Sequence, residues 1–341
     1  MLYKIADIKN TLRFHNWWHA KLPPLFGIAY LLIFNESLSF TDVLPILCLL
    51  LIWMIGAAGF GYYLNNWADI EQDLLAGKPN RVADHSLQKR ILILIALLIV
   101  TFLPWIGYWM FLSIAGSPAL HGFPVQFTIL LASLHLILFA LYSISPFRFK
   151  ERGIAGILLD ALYGHVLPAA IVISCFVPDA YLLVISLVAW QFFWGIRGVL
   201  IHQIFDFEND TLSKTTTMAI QMDIAKLKTF VLFCVTPLEI LTFLVCCSVI
   251  GQMNLWFWII FLAGILLKIL LKDNLALPNP EESKSLRFTR NILDNFYAEW
   301  FPIILLFNLV IFIDGSHLFL LIIHLAFFAY PLAREIRQKL S

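Results

Sequence analysis

Two sets of polar residues in this sequence stand at a spacing that an α-helix would gather on one face. Asn65, Asp69 and Asp73 fall at i, i+4 and i+8, and Asp206 and Asp210 repeat the four-residue step. Four residues overshoot a full helical turn by about 40° and rise about 6 Å, so each set stacks along one side of its helix. Like charges stacked this way repel one another. Hard divalent cations offset that repulsion, and Mg²⁺ in particular is held by one or two carboxylates together with waters and substrate phosphates. Two carboxylate faces that hold Mg²⁺ can bind a diphosphate and neutralise it as a leaving group. If the diphosphate is allylic, the other product is a carbocation that must be kept from water. The 30 Phe, 11 Trp and 10 Tyr of the chain supply aromatic faces that can stabilise one. The plain alternative, two solvated helix ends, stands equal for either set alone and loses ground when both recur on one side of a membrane.

A membrane is what the rest of the sequence describes. Of 341 residues, 61% are hydrophobic and 13% charged, with a mean hydropathy of +0.85. Soluble domains average about 45–50% apolar and about 25% charged. A formal net charge of +1 gives no electrostatic footprint for nucleic acid. Cys48, Cys175, Cys234, Cys246 and Cys247 all lie in apolar runs without metal-ligand spacing, and read as small buried hydrophobes. The first 21 residues carry Lys4, Asp7, Lys9 and Arg13 among two Trp and lack the apolar core of a signal peptide.

A spanning helix takes about 20 mainly apolar residues. Ten stretches qualify as candidates: 22–35, 43–66, 91–114, 125–145, 154–177, 180–205, 228–250, 254–272, 297–313 and 316–334. The first is short and contains Pro23 and Pro24, which points to a late start or a break, and the last two are divided only by Asp314, Gly315 and their neighbours, as a tight hairpin or one re-entrant pair would be. The connections alternate in charge. Segments 35–42, 116–124, 178–179, 251–254 and 314–316 contain no Lys or Arg, whereas nearly all 23 basic residues sit in the others or at helix ends, Arg197 being the exception. This positive-inside asymmetry places both termini and both acidic sets in the cytoplasm. The expected fold is therefore all-α: a polytopic bundle of about nine to ten transmembrane helices around a central cavity, forming one membrane-embedded domain over 1–341. The segments Asn65-Asn66-Trp67-Ala68-Asp69-Ile70-Glu71-Gln72-Asp73 and His202-Gln203-Ile204-Phe205-Asp206-Phe207-Glu208-Asn209-Asp210 end the second and sixth candidates. That is the pattern of two related four-helix halves.

These motifs resemble the UbiA-type intramembrane prenyltransferases, whose signatures are Asn-x-x-x-Asp-x-x-x-Asp ending the second helix and Asp-x-x-x-Asp ending the sixth. A third match is Tyr142-Ser143-Ile144-Ser145-Pro146-Phe147-Arg148-Phe149-Lys150-Glu151-Arg152-Gly153, similar to the family's Tyr-Ser-x-x-Pro-x-Arg-x-Lys-x-x-Gly segment after the fourth helix. Lys78-Pro79-Asn80-Arg81 resembles its basic stretch after the first acidic motif. The resemblance spans residues from about 12 to 250. It implies Mg²⁺ on Asp69, Asp73, Asp206 and Asp210 with Asn65 as a further ligand, Lys78, Arg81, Arg148 and Lys150 facing the diphosphate, and Tyr142 against diphosphate or cation. The implied reaction moves a prenyl group from a prenyl diphosphate to an acceptor: an aromatic quinone precursor, a tetrapyrrole, or a phosphorylated sugar or polyol. The implied setting is a bacterial inner membrane with the site on its cytoplasmic face. Three departures bear on the acceptor. Ile70 and Glu71 follow Asp69 where aromatic-acid prenylating members carry a basic residue, Thr216 stands where a Lys is common, and ten helices are counted against the family's nine.

Ionisable residues inside spans are functional candidates by default. Asp160, Tyr163, His165 and Arg197 form a candidate acceptor site, with an Asp160–Arg197 ion pair as the structural alternative, and Glu239 is weighed in the same way. His135 and His324 read as packed residues, and Asn16, Trp17, Trp18 and His19 as an interfacial belt. Two rival functions remain. A terpene cyclase on the same scaffold would need no acceptor, and the complete first motif argues against it. A transporter would keep its ion sites near the bilayer midplane, not at helix ends.

Overall fold

The structure is a computed structural model that describes residues 9–75, 77–115, 123–176, 180–212, 216–249 and 289–329, with isolated positions between 258 and 286. All regular structure among them is helical. Seven helices are long and apolar enough to cross a membrane. They are α2 (Phe40–Ala68), α4 (Leu87–Phe111), α5 (Val125–Ser143), α6 (Ile154–Ser174), α7 (Tyr181–Phe205), α9 (Ile224–Ser248) and α10 (Ile292–Phe312). Two shorter apolar helices flank the series, α1 (Leu22–Glu36) and α11 (Leu318–Phe328). Short helices α3 (Ile70–Leu75) and α8 (Phe207–Leu212) follow α2 and α7. The eighth expected span, 254–272, lies largely outside the described residues.

Pro23 and Pro24 do not break α1. They occupy its first turn, where the backbone N–H groups have no helical partner to lose. The last two candidates form separate helices joined by a turn at Gly315–His317, capped by the Asp314 carboxylate, which accepts from Ser316 N–H at 3.0 Å.

By contact the chain divides into two compact units. One comprises 1–15, 48–177 and 188–242, and the other 16–47, 178–187 and 243–341. In the first, small residues let helices approach closely, as helix pairs in lipid require. A Cβ on Gly56 would stand 2.5 Å from Thr101 Oγ1, one on Gly61 would stand 2.3 Å from the Phe139 ring, and one on Gly195 would stand 2.8 Å from Ala161 Cα. These contacts join α2 to α4, α2 to α5, and α7 to α6. Thr128 and Ser174 share a hydroxyl hydrogen bond of 2.9 Å between α5 and α6. Leu92 and Leu103 of α4 are 65% and 61% exposed, which presents that helix to lipid. Helix α6 contains a π turn at Leu162–Val166, one residue more than a regular turn holds.

In the second unit α1 packs along α10, with Gly27 against Phe301 and Pro302. His324 meets the Tyr30 hydroxyl at 3.2 Å, as a packed, hydrogen-bonded residue. Trp17 is fully buried, so its ring packs within the protein, and the half-buried Trp18 donates to the Phe327 carbonyl at 3.0 Å.

Candidate active site

Helices α2 and α7 both carry their acidic residues past the end of the apolar span. The four-residue backbone bonds continue through each break in regular helix. Asp69 N–H donates to the Asn65 carbonyl at 3.0 Å and Asp73 N–H to the Asp69 carbonyl at 2.8 Å. Asp206 and Asp210 repeat this at 2.9 and 2.8 Å. The spacing read from the sequence therefore becomes two real acidic faces. Both open onto one cavity of about 220 Å³ that lies wholly within the first unit. Its lining includes Asn65, Asp69, Asp73, Lys78, Tyr142, Lys150, Asp206 and Asp210, eight of the residues singled out from sequence.

Asp69 is the best-held of the four acids. Its carboxylate pairs with Lys150 Nζ, accepts from Arg148 at 2.9 Å and from Asn65 Nδ2 at 3.0 Å. Ser143 Oγ donates to Asn65 Oδ1 at 3.2 Å. Burial pushes the Lys150 ammonium below its ordinary range, against the pull of Asp69. Arg148 stands behind the cavity wall. Its backbone is left-handed, with φ +37°, and its guanidinium also reaches the Ala68 carbonyl at 3.1 Å, Gln72, and Glu151 at 2.5 Å. Gln72 donates to the same Glu151 carboxylate at 2.8 Å. Burial alone would raise the Glu151 carboxyl, but hydrogen bonds from Arg148 and Gln72 and the nearby positive charges hold it below its ordinary range. Asp73 accepts from Asn80 Nδ2 at 2.8 Å, and the same amide reaches the Asn66 carbonyl at 2.7 Å.

The second motif is less enclosed by positive charge. Asp210 accepts from the Thr217 hydroxyl at 3.0 Å. Burial holds its carboxyl above the usual range; the Thr217 bond opposes this and the charge of Asp206 adds to it. Asp206 meets His202 at 3.4 Å on an exposed surface, a contact that contributes little. The segment following the second motif is tied to the one following α5, since Thr216 donates to the Glu151 carbonyl at 2.6 Å. Gly153 has φ +52°, a conformation that favours glycine, and a Cβ there would push aside the end of the Gln221 side chain.

The remaining sequence candidates lie elsewhere. Arg81 is exposed and does not line the cavity. Asp160 accepts from the Tyr163 hydroxyl at 2.6 Å, and the Tyr142 ring lies 4.8 Å from that of Tyr163. His165 is buried against Trp194 at 4.9 Å. Arg197 meets Glu239, both fully buried, through bonds of 2.5 and 2.9 Å. This two-pronged pair is the ion pair the structure gives Arg197, where the sequence suggested Asp160.

Gln72, His202, Gln203 and Thr217 line the cavity without having been singled out. The signal for His202 was present. It stands four residues before Asp206, as Asn65 stands four before Asp69. Among the described residues no three His, Cys, Asp or Glu side chains gather closely enough to hold a metal by themselves.

No curated protein sequence matches the chain. Among solved structures, a UbiA homologue from Archaeoglobus fulgidus bound to GPP and Mg²⁺ is 15% identical, with a TM-score of 0.55 over 88% of this chain and 99% of that one. The same homologue bound to DMAPP and Mg²⁺ aligns at 16% identity and a TM-score of 0.55, with the same coverage. A structure concerned with digeranylgeranylglyceryl phosphate synthase in membranes aligns at 18% identity, with a TM-score of 0.56 over 89% of this chain and 99% of that one. These likenesses establish the fold. The model of the UbiA prenyltransferase family matches residues 22–293, and the chain belongs to that family.

Proposed function

We propose that the chain is an intramembrane prenyltransferase that cleaves a prenyl diphosphate at the cavity lined by its two acidic motifs and passes the prenyl group to an acceptor. The observation that carries this reading is the convergence of Asp69, Asp73, Asp206 and Asp210 with Lys78 and Lys150 on one cavity at the end of apolar helices. The donor set suits Mg²⁺. It consists of hard oxygens from four carboxylates and the Asn65 amide, and Mg²⁺ needs only one or two carboxylates when waters and phosphates complete its shell. The Archaeoglobus fulgidus homologue, solved with GPP or DMAPP and Mg²⁺ bound, supports the same assignment. Mg²⁺ held by Asp69, Asp73, Asp206, Asp210 and Asn65 would supply charge neutralisation for the departing diphosphate.

The chain's own residues do the rest. Lys78 and Lys150 offer ammonium donors to diphosphate oxygens, and Arg148 holds Asp69 in place from behind. Tyr142 turns an aromatic face to the cavity, where a cation would form. Helices α5 and α6 keep bulk water from that cation. We read the acceptor as a hydroxylated aromatic of quinone-precursor type, and the site as facing the cytoplasm of a bacterial inner membrane, on the strength of the basic connections around it.

The test is product analysis with purified protein in nanodiscs, Mg²⁺ and labelled prenyl diphosphates. Diphosphate release that depends on Mg²⁺, stops with chelator and accelerates with an acceptor is the expected result. Rapid formation of a cyclic hydrocarbon without any acceptor would overturn it in favour of a cyclase.

A further inference from the structure

Asp160 lies a third of the way along α6, inside the span, yet it is half-buried and in contact with hydroxyl groups. Its Oδ1 accepts from the Tyr163 hydroxyl at 2.6 Å. Tyr142 makes side-chain contact with both Asp160 and Tyr163. Tyr142 is also a wall of the acidic cavity, so the Asp160–Tyr163 pair sits one aromatic ring away from the diphosphate end. The Phe139 ring lies tilted against that of Tyr163, with centroids 4.4 Å apart. The π turn at Leu162–Val166 contains Tyr163 and begins directly after the helical turn that carries Asp160. A carboxylate placed in a span without a function is costly.

We propose that Tyr163 contacts the acceptor's hydroxyl group and that Asp160, acting through Tyr163, takes the proton the acceptor loses. This inference rests on the transferase reading above and adds the acceptor's chemistry to it. Because the Tyr163 O–H already donates to Asp160, its oxygen lone pairs are available to accept an O–H from the acceptor. In the transfer the C1–O bond of the prenyl diphosphate breaks and its electron pair leaves with the diphosphate. The acceptor's hydroxyl oxygen forms a new bond to C1. Its proton passes to the Tyr163 oxygen while the Tyr163 proton passes to Asp160, which ends as a neutral carboxyl group. Atoms and charge balance with no further reactant.

The same geometry restricts what the acceptor can be. Of the basic residues around the site, Lys78 and Lys150 line the diphosphate end of the cavity, Arg148 pairs with Asp69 and Arg197 pairs with Glu239, so none of the four is placed beside Tyr163. An acceptor carrying a carboxylate on its reacting ring would bring a second negative charge into the site of Asp160, and like charges in a partly buried site disfavour one another. The acceptor's reacting end is therefore a neutral hydroxylated group.

Two probes of similar size test this, 4-methylphenol and 4-hydroxybenzoate, each given with geranyl diphosphate and Mg²⁺ to full-length protein in nanodiscs. The wild type should form the prenyl ether of 4-methylphenol faster than that of 4-hydroxybenzoate. Asp160→Asn and Tyr163→Phe should each lower kcat by about 100-fold or more, while the Kd for geranyl diphosphate, measured by calorimetry, stays within about twofold. Asp160→Glu should recover to within about tenfold of wild type, which a purely structural role would not require. A kcat for Asp160→Asn near that of wild type, a loss confined to diphosphate binding, no recovery with Glu, a preference for 4-hydroxybenzoate, or no ether with 4-methylphenol would each overturn the inference. If the wild type does not bind geranyl diphosphate at all, the transferase reading itself fails, and the calorimetry separates that failure from the others.

Discussion

Truncating Glu239 to Ala removes the carboxylate bonded to two nitrogens of the Arg197 guanidinium, in a place with no access to solvent. The pair spans α7 and α9 through bonds of 2.5 and 2.9 Å. Breaking a buried pair from one side costs about 3–5 kcal/mol, because the remaining charge keeps its desolvation penalty and loses its attraction. Insertion scales put an arginine at the centre of a membrane helix at about 2.5–3.5 kcal/mol, which agrees with the lower part of that range. Glu239→Ala should therefore lower stability by about 3 kcal/mol, roughly a hundredfold or more in the folded-to-unfolded ratio. Replacing both residues, Arg197→Leu with Glu239→Leu, removes both charges and should return stability to within about 1 kcal/mol of wild type. Equilibrium unfolding of the protein in bicelles, by steric trapping or SDS titration, measures both. A single variant costing under about 1 kcal/mol, or a double variant no better than the single, would refute the argument that these groups depend on one another.

The acidic motifs give a second expectation. Asp69→Ala, Asp73→Ala, Asp206→Ala and Asp210→Ala should each reduce turnover by about 100-fold or more, with thermal stability nearly unchanged for the last three and lowered for Asp69→Ala, which leaves Lys150 and Arg148 without their shared partner; near-normal rates in two of them would remove the two-motif mechanism. Asn80→Ala deletes the amide that fixes Asp73 and should weaken prenyl diphosphate binding by about tenfold, as loss of one charge-assisted hydrogen bond allows, read by calorimetry. Gly195→Ala places a methyl group 2.8 Å from Ala161 Cα, and should cost about 1–3 kcal/mol as the helices part, read by the same unfolding assay. Cysteines introduced into 116–124 and 211–226 should label from opposite sides of the membrane; labelling from one side would break the topology.

The parts of this protein that were legible in the sequence are those that depend on period and composition. Apolar runs gave the helices, and a four-residue step gave the two acidic faces, because an α-helix converts that step into a stack whatever surrounds it. The ends of α1 and the order of the last two helices followed less directly. Pro23 and Pro24 suggested a break, and only a helix beginning at Leu22 makes their missing donors harmless. Partners across helices were not legible. Arg197 and Asp160 lie on α7 and α6, but whether they meet depends on how far each helix is rotated, and the structure gives Arg197 the Glu239 carboxylate of α9 instead. Gln72, Asn80 and Glu151 were missed for the same reason. Each is an ordinary polar residue near a helix end until the fold closes it onto Asp69, Asp73 or Arg148.

The π turn of α6 has an evolutionary side. Such a turn amounts to one extra residue within an otherwise regular helix. Each residue advances an α-helix by about 100°, so deleting one codon between Leu162 and Val166 would straighten the helix and swing every side chain on one side of the deletion by that angle. Asp160 and Tyr163, three residues apart, would stay neighbours, while the α6 residues beyond them, His165 among them, would turn by that angle relative to the pair. The acidic motifs hang on α2, α7 and the segments that follow them, outside that rotation. A lineage could in this way exchange the molecule it modifies in a single genetic step while leaving its leaving-group chemistry intact.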